Sequence, residues 1–229
     1  VAITPAGVAE LVHRGHEVMV QAGAGEGSAI HDQDFTAAGA KMVESADEVW
    51  AEADLLLKVK EPIEPEYSRM RKGQVLFTYL HLAASRPCTD ALLASGTTSI
   101  AYETVQTADG ALPLLAPMSE VAGRLSAHVG AYHLMRTQGG RGVLMGGVPG
   151  VAPASVVVIG GGMAGDNAAA VAWGMGAHVT VFDLNVNILR KIDAEYGGAI
   201  ETRYSSRLEL ENAVKQADLV IGAVLVPGA

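Results

Sequence analysis

The chain reads as an α/β protein of two domains, each a mostly parallel sheet with flanking helices. Three observations predict this. Short apolar runs of strand length alternate with helical patterns along the whole sequence, the order that builds parallel sheets with covering helices. One of those runs, Val156-Val157-Val158-Ile159, leads straight into Gly160-Gly161-Gly162-Met163-Ala164-Gly165 and then an alanine-rich segment. At 229 residues and 49% hydrophobic content, there is chain enough for two buried cores.

Charge and cysteine content exclude several classes of function. A formal net charge of −9 argues against general affinity for nucleic acid or an anionic membrane, so an anionic ligand must be held by local groups. Cys88 is the only cysteine, which excludes an intramolecular disulfide and a Cys-based zinc site and fits a reduced cytoplasm. It follows Pro87 at a predicted helix start with no base nearby in sequence, so a structural thiol is expected rather than a nucleophile. No apolar run approaches the roughly 20 residues of a membrane span, and no signal peptide opens the sequence. Val1-Ala2-Ile3-Thr4-Pro5 reads like a segment already under way, and the last strand pattern is followed at once by termination, so a piece of a longer chain is expected at both ends.

The first domain is placed at 1–117. Thr4 caps a helix opening at Pro5 and carried by Val8, Leu11 and Val12 as far as Gly15. A strand over 17–21, a helix over 32–38, a strand over 41–44 and a helix over 46–52 follow. The glycine-rich Ala22 to Ser28 stretch lacks the Lys and Ser/Thr ending of a P-loop and is read as structural. The next strand, Leu55 to Pro62, carries lysines where a buried strand should be apolar. Alternation puts Lys58 and Lys60 on one face, with Lys60 at the carboxyl end where open α/β sheets bind ligands; two ordinary surface lysines are the alternative. Val75 to Ala83 is again a buried strand, with Tyr79 and His81 at its carboxyl end. Sequential strands are usually neighbours, so Lys60 and His81 converge into a plausible site for a small anionic keto acid, one holding a carboxylate and the other exchanging a proton. The other six histidines lack such a setting. Thr97 to Glu103 is a further strand, and Glu103 either joins the site or faces solvent.

The second domain is placed at 118–229, opened by an interdomain helix over about 119–138. In its glycine turn Gly160 allows the tight bend, Gly162 lets a pyrophosphate approach the backbone, and Gly165 lets helix and strand pack closely, while the free N–H groups of the helix face the phosphates. Glycine is common, so the turn alone is weak evidence. The strand His178 to Asp183 adds weight: Asp183 stands 23 residues after Gly160, close to the roughly 20 expected of the acid that accepts from the adenosine ribose hydroxyls. Such an acid repels a 2′-phosphate and favours NAD over NADP. The pattern is that of a Rossmann dinucleotide-binding domain, with a helix cap as the lesser role for Asp183. Helices near 186–194 and 207–216 and strands near 199–203 and from Leu219 complete the alternation.

Taken together, Val1 to Pro5, Gly23-Ala24-Gly25, Leu57-Lys58-Val59-Lys60-Glu61-Pro62, Tyr79-Leu80-His81-Leu82-Ala83, Ala101 to Val105, Pro117 to Gly123, the glycine turn, Asp183 and Val224-Leu225-Val226-Pro227-Gly228 resemble the L-alanine dehydrogenase family, which includes the first domain of proton-translocating transhydrogenase. The resemblance covers essentially the whole chain. It implies reversible oxidative deamination of L-alanine to pyruvate and ammonium with NAD, in a homo-oligomer that is a hexamer. It matches Lys60 to the residue that binds the substrate carboxylate and His81 to the proton donor. It places Ser119, Met163, Ala164, Asp183, Ser205, Val224 and Leu225 on cofactor positions. A transhydrogenase NAD(H)-binding domain is the alternative within the family, and the histidine at 81 argues against it. The family's substrate-binding arginine would precede Val1 and its catalytic aspartate would follow Ala229, which leaves an inactive NAD-binding fragment as a third reading. Two departures stand out. Asp166 sets a negative charge directly after the last glycine of the turn, unfavourable to a pyrophosphate, and Ile188 stands where a cofactor contact can be polar.

Overall fold

The computed structural model describes residues 1–224, in two compact units, Val1–Leu114 and from Leu115 onward. In the first unit, helix α1 (Pro5–His13) starts where a proline costs nothing, because its missing N–H would have had no partner, and Thr4 accepts a hydrogen bond from the Gly7 N–H. Strand β1 (Met19–Gln21), helix α2 (Asp32–Ala37), strand β2 (Lys41–Val43) and helix α3 (Ala46–Glu52) follow. β1 and β2 pair in parallel and cover a small core of Val8, Val20, Phe35 and Ala40. The glycine-rich stretch before α2 is a closed loop, its Gly23 N–H bonded to the Asp32 carboxylate at 2.9 Å.

A second parallel sheet, in the order β3-β4-β5, is built from β3 (Leu55–Leu57), β4 (Val75–Thr78) and β5 (Thr98–Ala101), with helix α4 (Arg86–Ser95) between the last two. Its core holds Trp50, Leu56, Leu76, Leu80, Leu92 and Cys88. Cys88 is fully buried, and burial pushes its thiol up, which suits packing rather than nucleophilic attack.

These strands are shorter than their apolar patterns predict. β3 stops at Leu57, so Lys58 and Lys60 are not strand residues. Pairing nonetheless continues past the strand, from the Lys58 N–H to Phe77 and from the Tyr79 N–H to Val59, both at 3.2 Å. It ends at Lys60, whose carbonyl accepts the Thr78 hydroxyl at 2.9 Å instead of a backbone N–H. β4 stops at Thr78 because His81 takes up a left-handed conformation (φ 47°), which turns the chain into a short 3-10 segment over Leu82–Ala84. β5 likewise gives way to a 3-10 turn over Tyr102–Thr104.

The second unit opens with α5 (Ala116–Leu134), three residues earlier than read from sequence, since Pro117 fits the first helical turn. Then come β6 (Ser155–Ile159), α6 (Met163–Gly174), β7 (His178–Asp183), α7 (Val186–Tyr196), β8 (Glu201–Tyr204), α8 (Arg207–Gln216) and β9 (Leu219–Gly222). The sheet order is β8-β7-β6-β9, all parallel. Val156, Val158, Val181, Ile192 and the alanines 168, 169 and 172 of α6 are buried between sheet and helices, each valine or isoleucine contributing about 1.5–3 kcal/mol. Small residues let α5 lie close to its neighbours. A Cβ on Gly123 would meet the Ala164 carbonyl, and one on Gly130 the Leu219 side chain. Among the described residues no helix is long and apolar enough to cross a membrane.

Candidate active site and dinucleotide crevice

In the second unit, chain order and sheet order part company between β6 and β9, where the connection reverses direction. In an open parallel sheet that switch point is the ligand crevice, at the carboxyl ends of the strands. Gly160 sits there, at the end of β6, with φ 95°; a Cβ on it would lie 2.8 Å from the Ala223 carbonyl and 2.9 Å from Val224. Gly165 falls in the first turn of α6, so that helix begins at Met163 and not after Gly165. A Cβ on Gly165 would strike the carbonyl of Gly160, which is why strand and helix can meet so closely. At Gly162 a Cβ would meet nothing within 4 Å. This is open space beside backbone. The first intrahelical bond of α6 is from the Asp166 N–H to the Gly162 carbonyl, leaving the N–H groups of Met163, Ala164 and Gly165 without helical partners.

Asp183 does not cap α7; Asn185 does, by accepting from the Asn187 N–H. One Asp183 oxygen accepts the Gly161 N–H and the other the Asn185 N–H, each at 2.7 Å. A carboxylate has about four acceptor positions, so it keeps capacity for ribose hydroxyls. Ser205 is brought to the same place, its N–H donating to the Asp183 carbonyl at 3.0 Å. Ser119 lies on α5 one turn before Gly123, and Val224 lies against Gly160. Leu225 is outside the described residues. These groups fit a dinucleotide: open backbone for phosphates, a helix N-terminus and an acid for ribose.

Both departures noted in the sequence turn out to be packing features. Asp166 as a residue is 9% exposed, and its carboxylate is bound by the Lys191 ammonium and the Tyr196 hydroxyl of α7, each at 3.0 Å. Its charge is neutralised there, which removes the objection to a phosphate nearby. The hydrogen bond to Asp166 raises Lys191, while burial and then that hydrogen bond raise Tyr196. Ile188 packs beneath the turn, its Cγ2 2.8 Å from where a Gly161 Cβ would sit.

The first unit holds the titratable cluster. Lys58 pairs with Glu66 at 3.1 Å and is thereby neutralised. Lys60 is exposed and has no ion-pair partner among the described residues. The Glu61 carboxylate is 3.0 Å from His81 Nδ1, and this hydrogen bond, with the nearby Lys60 charge as a smaller cause, holds Glu61 below the usual carboxylate range. Glu103 faces inward: one oxygen accepts the N–H groups of Leu80 (3.0 Å) and His81 (2.8 Å). The left-handed conformation of His81 costs about 1–2 kcal/mol; hydrogen bonds to a charged acceptor at about 1.5–3 kcal/mol each offset it. Tyr79 lies nearly parallel to His81 with centroids 6.1 Å apart, and its hydroxyl donates to the Leu114 carbonyl at 2.6 Å. Sequence reasoning paired Lys60 with His81 but gave no role to Glu61 and none to choose for Glu103. The only signal was an acid beside each strand end. A cavity of about 690 Å³ lies elsewhere, between β1 and β3, and includes neither Lys60 nor His81.

Comparison with known proteins bears on both halves. Residues 1–122 match the model of the alanine dehydrogenase/PNT N-terminal domain and residues 126–229 that of the C-terminal domain. The chain belongs to the alanine dehydrogenase/PNT family. It is 84% identical over 229 residues to an alanine dehydrogenase of Mycolicibacterium smegmatis and 79% identical to one of Mycobacterium tuberculosis. All of the chain is matched, and it spans 62% of the length of each of these curated relatives. Among solved structures, an L-alanine dehydrogenase superposes with a TM-score of 0.93 at 51% identity, over 99% of this chain and 62% of that one. A transhydrogenase from Sinorhizobium meliloti superposes with a TM-score of 0.82 at 27% identity, over 100% of this chain and 66% of that one. Family membership and the switch-point crevice together mark the second unit as a fold of the dinucleotide-binding kind.

Proposed function

We propose that the full-length protein is an NAD-dependent L-alanine dehydrogenase, interconverting L-alanine with pyruvate and ammonium. The observation that carries this reading is the grouping of Lys60, which has no ion-pair partner among the described residues, with the His81–Glu61 pair at the carboxyl ends of adjacent parallel strands. A transhydrogenase subunit, which turns over no amino acid, has no use for that grouping. Bound NADH would supply the hydride. Gly160, Gly162 and Gly165 with the first turn of α6 would hold its pyrophosphate and Asp183 its ribose; Ser119, Met163, Ala164, Ser205, Val224 and Leu225 are proposed as further contacts. Lys60 binds and orients the pyruvate carboxylate. His81 gives the pyruvate oxygen a proton in the reductive direction and takes one back in the oxidative direction.

The test is the full-length protein assayed by NADH absorbance with pyruvate and ammonium. His81→Ala should lower turnover by about 10²–10⁴-fold, the range of a general acid–base group, while NADH binding persists. Lys60→Ala should act chiefly on the KM for pyruvate. Near-normal pyruvate amination by either variant would make that residue structural and remove the reading's support.

A further inference from the structure

We infer that Glu61 is the positioning residue for His81: its carboxylate fixes the proton on Nδ1 and so reserves Nε2 for proton exchange with substrate. The inference rests on the proposed role of His81. An imidazole has two nitrogens, and the bond made by one decides the protonation of the other. Here Nδ1 is committed, 3.0 Å from Glu61 Oε2. An ionised carboxylate has only acceptors to offer, so Nδ1 must carry the hydrogen. The Glu61 carboxyl is held below the usual range, first by this same hydrogen bond, so it is ionised at neutral pH.

The proton count closes in both directions. In amination the imidazolium carries hydrogen on both nitrogens. The Nε2–H bond breaks, its electron pair stays on Nε2, and the proton forms an O–H bond with the oxygen of the former carbonyl. The neutral ring left behind keeps Nδ1–H against Glu61 with no rearrangement. In oxidation that same neutral tautomer presents the Nε2 lone pair to the hydroxyl proton. Were Nε2 protonated in the neutral ring, the base would be absent.

Two carboxylates thus divide the work on one residue. Glu103 holds the main chain of Leu80 and His81, and Glu61 holds the ring. The Glu61–His81 pair is too open to matter much for folding, with side chains 40% exposed for His81 and 32% for Glu61. Removing it should therefore be felt in turnover and not in stability.

The experiment uses the full-length protein with Glu61→Gln, Glu61→Asp, His81→Ala and the Glu61→Gln/His81→Ala double variant. A glutamine at 61 has an amide that can donate to Nδ1 and so select the wrong tautomer. The expected fall in kcat for alanine oxidation is about 10²-fold, smaller than the about 10⁴-fold seen when a buried catalytic-triad aspartate becomes asparagine, because this pair is half exposed. KM for alanine and NAD should stay within about threefold. Glu61→Asp should recover part of the loss, since it restores an acceptor. ¹⁵N spectra of labelled His81 should show neutral wild type protonated at Nδ1 and the Gln variant protonated at Nε2. In the double variant the Gln substitution should add nothing to the loss from His81→Ala. Three results would overturn the inference while leaving His81 its role: an Nε2-protonated wild type, wild-type kcat in Glu61→Gln beside an inactive His81→Ala, or losses that add in the double variant. Normal turnover in His81→Ala would instead overturn the reading on which the inference rests.

Discussion

Helix α6 offers the same chemical change, glycine to alanine, at three positions where its consequence should differ in kind. In a helix interior alanine is favoured over glycine by about 0.8–1 kcal/mol, because glycine loses more backbone entropy on folding. At Gly174 nothing lies within 4 Å of the added Cβ, so that gain should appear nearly whole, reduced only by the position's place at the helix end. At Gly165 the Cβ would land on the backbone carbonyl of Gly160, which sits in the turn itself and has no rotamer with which to escape. Overpacking of this kind costs about 1–3 kcal/mol. Set against the propensity gain, the net is a loss of up to about 2 kcal/mol, and the start of α6 must move away from β6. At Gly162 the space is open, so Gly162→Ala should fold with no more than the cost of a poorer helix cap while its methyl fills the place proposed for the pyrophosphate. The assay is thermal unfolding followed by circular dichroism, with NADH affinity measured by fluorescence titration. In a unit of about a hundred residues 1 kcal/mol moves Tm by about 4 °C. Gly174→Ala should raise Tm slightly, Gly165→Ala should lower it by up to about 8 °C, and Gly162→Ala should lose NADH while nearly keeping its Tm. Equal Tm changes at 165 and 174 would show that the close approach is not what requires glycine. Unimpaired NADH binding by Gly162→Ala would remove the pyrophosphate from that turn.

Two further outcomes follow from the second unit. Asp183→Ala should narrow the expected preference for NADH over NADPH, but weaken both, because it also releases the Gly161 N–H that shapes the turn; comparable affinity of the unmodified protein for the two cofactors in fluorescence titration would refute the role given to this acid. Lys191 is raised by its hydrogen bond to Asp166, and Tyr196 by burial and then by its own hydrogen bond to Asp166, so the folded state binds these protons more tightly than the unfolded one. Their contribution is complete below about pH 10, the unfolded values, and is lost as pH rises through the folded ones. Between pH 9 and pH 11 the Tm of Asp166→Asn should therefore fall less steeply than that of the unmodified chain, and parallel slopes would show that the α6–α7 contact is not sensed.

What could be read from the sequence divides along a physical line. Patterns that repeat within one element were legible: the β-branched run of β6, the alternation that gives parallel order, and the glycines whose spacing is set by a single turn. The strand ends were not. The strands expected from sequence continue past Leu57 and Thr78, but the ladder stops where a side chain, the Thr78 hydroxyl, or a strained residue, His81, replaces the regular bond. Such endings depend on partners some 20 residues away, and alternation carries no information about them. The same reason left Glu103 undecided between the site and solvent, since only the fold returns it to the N–H groups of Leu80 and His81.

Asp166 makes the point most sharply, because local rules showed only one of its two settings. Judged by its own helix it is a first-turn acid, favoured by the dipole and set against a phosphate. Judged with α7 it is a buried acceptor for a lysine and a tyrosine 25 and 30 residues on. A desolvated carboxylate must find such partners or lose its charge. The presence of Lys191 and Tyr196 five positions apart on the facing helix is therefore what lets an acid at 166 stay charged beside the turn proposed to hold the pyrophosphate.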